Sequence, residues 1–117
     1  MYIYWVNEFS KNEWIYLIKH INSENKVKVI SFFNEHWGSS EMIISSGIYK
    51  CEHLDGFIYE ENHQIIGLIT YVIKCDEIEI ISLDSILEGK GIGTALIEKV
   101  ENVAKQKQIN IVGLVTI

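Results

Sequence analysis

Between Asn22 and Trp37 the apolar residues Val27, Ile30, Phe33 and Trp37 recur every three to four positions, with Lys26, Lys28 and Glu35 between them. That period predicts an amphipathic helix with its apolar stripe on a core and the charged residues outward. Asn22-Ser23-Glu24 offers an N-cap and an acidic first turn, and Gly38-Ser39-Ser40 breaks the helix after about His36. Upstream, Trp14 to His20 is a short aromatic and β-branched run that reads as a strand, while residues 1–13 carry no clear period. Glu41 to Tyr49 reads as irregular and mostly extended. Phe57 to Glu60 runs into the polar turn Glu61-Asn62-His63 and Gln64 to Ile73 runs out of it, which predicts an antiparallel hairpin. After the reversal at Lys74-Cys75-Asp76, Glu77-Ile78-Glu79-Ile80 alternates strictly, so both carboxylates share the strand face opposite the isoleucines. Leu96, Ile97, Val100, Val103 and Ala104 then mark the buried side of a helix over about Gly91 to Gln106. Ile109 to Ile117 reads as a nearly all-apolar strand covered on both faces. Helices and strands interleave in an α/β order within a single domain, residues 1–117, with no repeat, linker or low-complexity segment.

Composition narrows the function. The ten cationic side chains are all lysine and face sixteen carboxylates, for a net charge of −6. An acidic, arginine-free chain lacks the basic face that phosphate neutralisation requires, so nucleic acid is excluded as a partner and a cationic amine suits it better. The longest apolar run, Ile65 to Ile73 interrupted by Thr70, is far short of the roughly 18 residues a spanning helix needs. Met1 to Val6 has no basic leader before Glu8, which argues against secretion and places the expected site of action in the cytoplasm. Cys51 and Cys75 then read as reduced thiols. Cys51-Glu52-His53 with His63 and Cys75 has poor zinc spacing, so no metal is expected, and a Cys-His nucleophile pair lacks an orienting residue.

The segment that carries chemistry is Ile80-Ile81-Ser82-Leu83-Asp84-Ser85-Ile86-Leu87-Glu88-Gly89-Lys90-Gly91-Ile92-Gly93-Thr94-Ala95-Leu96. A strand enters a loop with glycines at alternate positions, and the loop opens into a helix. Glycines admit close approach of a ligand, and the unpaired amides and dipole of a helix N-terminus attract anions, so this is the outline of a pyrophosphate cradle. It is not a P-loop, since no window supplies G-x-x-x-x-G-K-[ST], and the dinucleotide fingerprint fails because Thr94 or Leu96 stands where a third glycine is required. A structural turn accounts for one of these glycines, not for three in alternation.

The segment Glu88-Gly89-Lys90-Gly91-Ile92-Gly93 resembles the acetyl-CoA loop, Q/R-x-x-G-x-G/A, of the GNAT family of N-acetyltransferases, and the order of elements resembles the first two-thirds of that fold. His36-Trp37-Gly38-Ser39 and Ile80 to Ser85 are similar to a small bacterial subgroup. The resemblance implies a mixed, mostly antiparallel sheet flanked by helices, with transfer of acetyl from acetyl-CoA to a small-molecule or peptide amine by direct attack. A protonated amine is no nucleophile, so a base must take its proton and a donor must meet the developing oxyanion. By the resemblance, main-chain groups of Ile81, Ser82 and Leu83 hold the pantetheine arm and polarise the thioester. Amides of Glu88, Gly89, Lys90, Gly91, Ile92, Gly93 and Thr94 hold the pyrophosphate, and Glu77 or Glu79 is the base. Two departures stand out. Glu88 puts a carboxylate where the family has Gln or Arg, and the sequence stops after the family's fifth strand. The later layer, with the family's acid tyrosine, is therefore expected from a longer product or from a second subunit, as in a homodimer or element swap. The competing expectation is a non-catalytic acyl-CoA-binding or dimerisation module.

Overall fold

A computed structural model describes residues 18–39, 41–44, 47–87, 91–109 and 111–114. The elements are β1 (Ile18–His20), α1 (Lys26–Trp37), β2 (Glu41–Ile44), β3 (Gly47–Lys50), a 3-10 turn (Cys51–His53), β4 (Asp55–Glu61), β5 (Gln64–Lys74), β6 (Glu77–Ser85), α2 (Ile92–Gln106) and β7 (Ile111–Leu114). Five strands form one sheet in the order β1-β4-β5-β6-β7, and β2-β3 is a separate hairpin. All pairings are antiparallel except β6 with β7, which runs parallel because α2 makes the crossover between them.

The uninterrupted apolar character of β5 follows from cover on both faces. Ile69 and Tyr71 lie with Ile78, Ile80, Ile92, Leu96 and Val100 beneath α2. Leu68 and Ile65 lie on the other side with Ile58, Ile81 and the α1 residues Val29, Phe32 and Phe33. β5 and β6 pack so close to α2 that a Cβ at Gly67 would stand 2.6 Å from Ile92 Cγ2.

Several expectations are corrected. The apolar stripe of α1 is Val29, Phe32 and Phe33, with Ile30 and Trp37 half-buried, whereas Val27 is 72% exposed. The reason is phase: at 3.6 residues per turn Val27 lies about 200° around the helix from Val29, on the side away from the buried stripe. Asn22 is not the N-cap. Its Oδ1 accepts from the amides of Glu24 and Asn25 and closes a turn of its own, and no acid stands in the first turn of α1. Lys26 turns partly inward, donating to the Glu52 carbonyl at 2.8 Å. Gly38, at φ 76°, ends the helix as a left-handed cap. The stretch from Glu41 to Tyr49, expected to be irregular and mostly extended, is extended but regular where described, with β2 and β3 paired to each other. Of the strand expected over Ile109 to Ile117, β7 (Ile111–Leu114) pairs with β6 and Val112 is half-buried against the core, while residues 110 and 115–117 lie outside the described residues. The first part of the expected strand over Trp14 to His20 lies outside the described residues; Ile18–His20 is a strand.

Candidate functional site

Two features meet at the C-terminal half of β6. The first is a register shift. Thr70 pairs with Ser82 and Tyr71 with Ile80, so Ile81 is an extra residue in β6. The bulge reverses the side-chain phase: Ile78 and Ile80 face α2, Ile81 faces α1, and Leu83 returns to the α2 core. The described pairing of β6 with β7 covers Glu77 to Ile80 and stops where the bulge begins. Residues 82–85 are thus paired to β5 on one edge, and the other edge of residues 81–85 carries no ladder among the described residues. Ile81, Ser82 and Leu83, the expected pantetheine segment, form that edge.

The second feature is the start of α2. Gly91 is its N-cap at φ 75°, ψ 11°, a left-handed conformation that explains the glycine there by backbone geometry alone. Gly91 accepts the Ala95 amide at 3.0 Å, and the amides before it have no acceptor within the helix. Gly93 is different. Its φ is not positive, and a Cβ built on it would meet nothing within 4 Å, so neither strain nor packing demands glycine. Ile92 is buried over Gly67, which pairs with Ser85, so the first turn of α2 is seated above the end of β6. The first turn of α2, Gly91, Ile92, Gly93 and Thr94, is therefore seated over Gly67 and the end of β6, while Glu88, Gly89 and Lys90 lie outside the described residues.

On the α1 face, β5 and β6 carry a file of polar groups. Glu77 is exposed at the start of β6, and Glu79 is half-buried opposite Val72. The carboxylates share a face as expected but not an environment, for Glu79 Oε2 is buried with no hydrogen-bond partner among the described residues. Beside it Lys74 Nζ donates to Tyr49 Oη at 2.7 Å while lying 5.3 Å from that ring's centre, and this hydrogen bond raises the lysine pKa. Further along, the buried Thr70 and Ser82 hydroxyls are hydrogen-bonded to each other. Asp84 Oδ2 accepts the Trp37 indole N–H at 3.0 Å. Burial pushes the Asp84 carboxyl up, against the opposing pull of Trp37 and His36.

Sequence reasoning missed Tyr49, Lys74 and Asp84. Trp37 and Asp84 stand within the two segments noted for their resemblance, yet 47 positions separate them in the chain and periodicity does not join them. Tyr49 fell in the stretch read as irregular.

The family model described as acetyltransferase (GNAT) family matches residues 17–117. The chain is 53% identical to YxbD of Bacillus subtilis (strain 168) over 89 residues, covering 75% of this chain and 56% of that protein. It is 50% identical to YdhI of the same organism over 96 residues, 81% of this chain and 60% of that one. The chain thus spans less than two-thirds of the length of either relative. In fold it is similar to the ribosomal-protein-alanine N-acetyltransferase of Brucella melitensis biovar Abortus 2308, with TM-score 0.65, 10% identity and coverage of 86% of this chain and 80% of that one. It is similar too to the aminoglycoside N-acetyltransferase AAC(6')-Iy in complex with CoA, with TM-score 0.64, 16% identity and coverage of 86% and 76%.

Proposed function

The chain belongs to the acetyltransferase (GNAT) family, and from that premise we propose that it transfers an acetyl group from acetyl-CoA to a primary amine by direct attack. Neighbours named for aminoglycoside and for ribosomal-protein alanine acetylation leave both a small-molecule and a peptide amine as acceptor classes. The observation that carries the reading is Gly93. A glycine on the first turn of a helix that needs neither positive φ nor space inside the fold keeps that surface bare for a ligand. An anion in contact with the bare turn meets amides that the helix itself cannot satisfy. CoA presents such an anion in its pyrophosphate.

In this reading the amides of Gly91 to Thr94, continued by Glu88 to Lys90, hold the pyrophosphate. The open edge of Ile81 to Leu83 offers main-chain groups to the pantetheine amides and a donor to the thioester oxygen. Glu79, with Glu77 next to it along the strand face, takes the proton from the ammonium form of the acceptor. The neutral amine then attacks the thioester carbon, the tetrahedral adduct expels the thiolate as the C–S bond breaks, and the proton still in excess on the nitrogen passes through solvent to the thiolate.

The test is acetyl-CoA consumption, followed as free thiol, with a panel of primary amines, beside calorimetry of CoA binding. The reading expects amine-dependent turnover, and it expects Gly93→Val to cost at least about tenfold in CoA affinity, or ~1.4 kcal/mol, while the thermal transition is kept. CoA binding without thioester loss for any amine points to a binding module instead. Unchanged affinity in folded Gly93→Val removes the cradle. Gly93 is a better probe than Gly91, where valine is strained with or without ligand.

A further inference from the structure

Three large apolar side chains stand exposed among the described residues, Val27, Ile48 and Ile86, and two of the three line one groove. The groove lies between α1 and the ends of β5 and β6, with a volume of about 390 Å³, which is within the ordinary size range of small-molecule sites. The buried residues Phe32 and Ile65 line it as well. Its polar groups include the exposed imidazoles of His36 and His63, which make no hydrogen bond among the described residues. Lys28, by contrast, already donates to Glu60 Oε2 at 2.8 Å. The backbone at His63 is unusual. Asn62 and His63 alone join β4 to β5, with φ of 52° and 65°, the conformation of a type I′ hairpin turn. Glycine is the favoured residue at the second position of that turn, so histidine stands there at a conformational cost and places its ring at the groove.

The groove also adjoins the cradle along the chain. The Ile86 amide donates to the Ile66 carbonyl at 2.8 Å, just past the end of β6, and Glu88 follows two residues on, no more than about 7 Å away. The acceptor amine has no business here, since the thioester is expected near Ile81, five residues or roughly 17 Å back along β6. We propose that the groove binds the adenosine 3′-phosphate end of CoA. The inference rests on the acetyltransferase reading and deepens it. If the pantetheine arm runs from the cradle back along Leu83 to Ile81, the nucleotide leaves the cradle on the other side, where the groove lies. The purine is laid on the apolar surface of Val27 and Ile86, and the 3′-phosphate accepts from the ring N–H groups of His63 and His36. The Glu35 carboxylate, also in the lining, suits the exocyclic amino group of adenine and repels a phosphate with no base attached.

Calorimetry of the full chain with CoA, dephospho-CoA and 4′-phosphopantetheine separates the parts of the ligand. In about 0.15 M salt, where charges beyond roughly 8 Å are screened, the wild-type chain is expected to bind CoA about tenfold more tightly than dephospho-CoA. His63→Gly supplies the residue the turn favours, so the melting temperature holds or rises, while the preference for CoA over dephospho-CoA falls several-fold. Val27→Glu puts an acid in the first turn of α1, which has none, and this too favours the helix. Its affinity for CoA and dephospho-CoA nevertheless falls several-fold, and that for 4′-phosphopantetheine is unchanged. Weaker binding by a chain of undiminished stability is what a packing role does not produce. A CoA to dephospho-CoA ratio that is the same in His63→Gly as in wild type, or an unchanged CoA affinity in Val27→Glu, overturns the inference and leaves the acetyltransferase reading intact. Adenosine 3′,5′-bisphosphate binding as tightly as CoA overturns the assignment to CoA and makes the ligand a free nucleotide. If none of the three pantetheine ligands binds the wild-type chain, the acetyltransferase reading fails by that result. The bisphosphate then decides the groove alone: ring proton resonances of His63 and His36 that move on its addition support a nucleotide site, and unmoved resonances overturn it.

Discussion

Two carboxylates show how differently single residues of one charge type are treated. Glu60 is only 12% exposed and accepts from Lys28 at 2.8 Å and Lys19 at 3.0 Å, and these hydrogen bonds hold its pKa below the ordinary carboxylate value. Its contribution to stability is present above the ordinary carboxylate range and is lost as pH falls through the lowered folded value. Asp84 is the reverse case. Burial raises its pKa, so the folded chain binds that proton more readily than the unfolded one. Its contribution therefore favours folding in acid and is lost as pH rises through the raised folded value. Asp84→Asn keeps an oxygen for the Trp37 indole and removes the buried charge. The melting temperature at about pH 7 is expected to rise, and the gain to vanish at about pH 3, where the native carboxyl is already neutral. A lower melting temperature at about pH 7 that disappears at about pH 3 would show that the charge itself is needed by the indole. Neither partnership was legible in the sequence, since nothing in a local pattern tells Asp84 from any other acid at a strand end.

At the level of elements, what periodicity states was readable and what pairing decides was not. The alternation of Glu77 to Ile80 placed Ile78 and Ile80 on the buried face correctly, and Leu96, Val100, Val103 and Ala104 did the same for α2. The bulge at Ile81 leaves no mark on a run of apolar residues, because it exists only relative to the register of β5. Val27 misled for a related reason: its three-residue spacing from Ile30 admits it to a stripe, while the packing of the fold centres that stripe on Val29, Phe32 and Phe33. Glycines carry a comparable distinction between fold and site. A Cβ at Gly56 would stand 2.1 Å from the Ile69 carbonyl oxygen, which the ladder holds in place, so Gly56→Ala is expected to disrupt folding. At Gly67 the obstacles are side chains of α2, Ile92 Cγ2 at 2.6 Å and Leu96 Cδ1 at 3.2 Å. Gly67→Ala should cost about 1–3 kcal/mol, the usual range for overpacking, and push the first turn of α2 off the sheet. Its CoA affinity is therefore expected to fall more than that of a surface variant matched for stability. Calorimetry at a temperature where both variants are folded decides it, and equal affinities would mean that the seat of Ile92 does not set the cradle.

The molecule as a whole carries a net charge of −6 with no arginine, and the ligand it is proposed to bind is itself a polyanion. Two ways of holding such a ligand differ in how far their forces reach. Lysine ammonium groups act through a field that salt screens, with a Debye length of about 10 Å at 0.1 M, whereas backbone amides act at contact. A site built on the α2 amides within an acidic chain places attraction at short range and repulsion at long range. Added salt then removes only the repulsion. CoA affinity is accordingly expected to hold or to rise as salt goes from about 0.02 M to about 0.5 M, the reverse of the loss seen where cations neutralise phosphates. Glu88, next to the expected cradle, sharpens the test, because a carboxylate at that place adds repulsion that Glu88→Gln removes. The variant should bind CoA several-fold more tightly at low salt, equivalent to about 1 kcal/mol, with the advantage shrinking as salt rises. A steep loss of wild-type affinity with salt would assign the grip to lysines, Lys90 first among them, and weaker binding by Glu88→Gln would make that side chain a direct contact with the ligand.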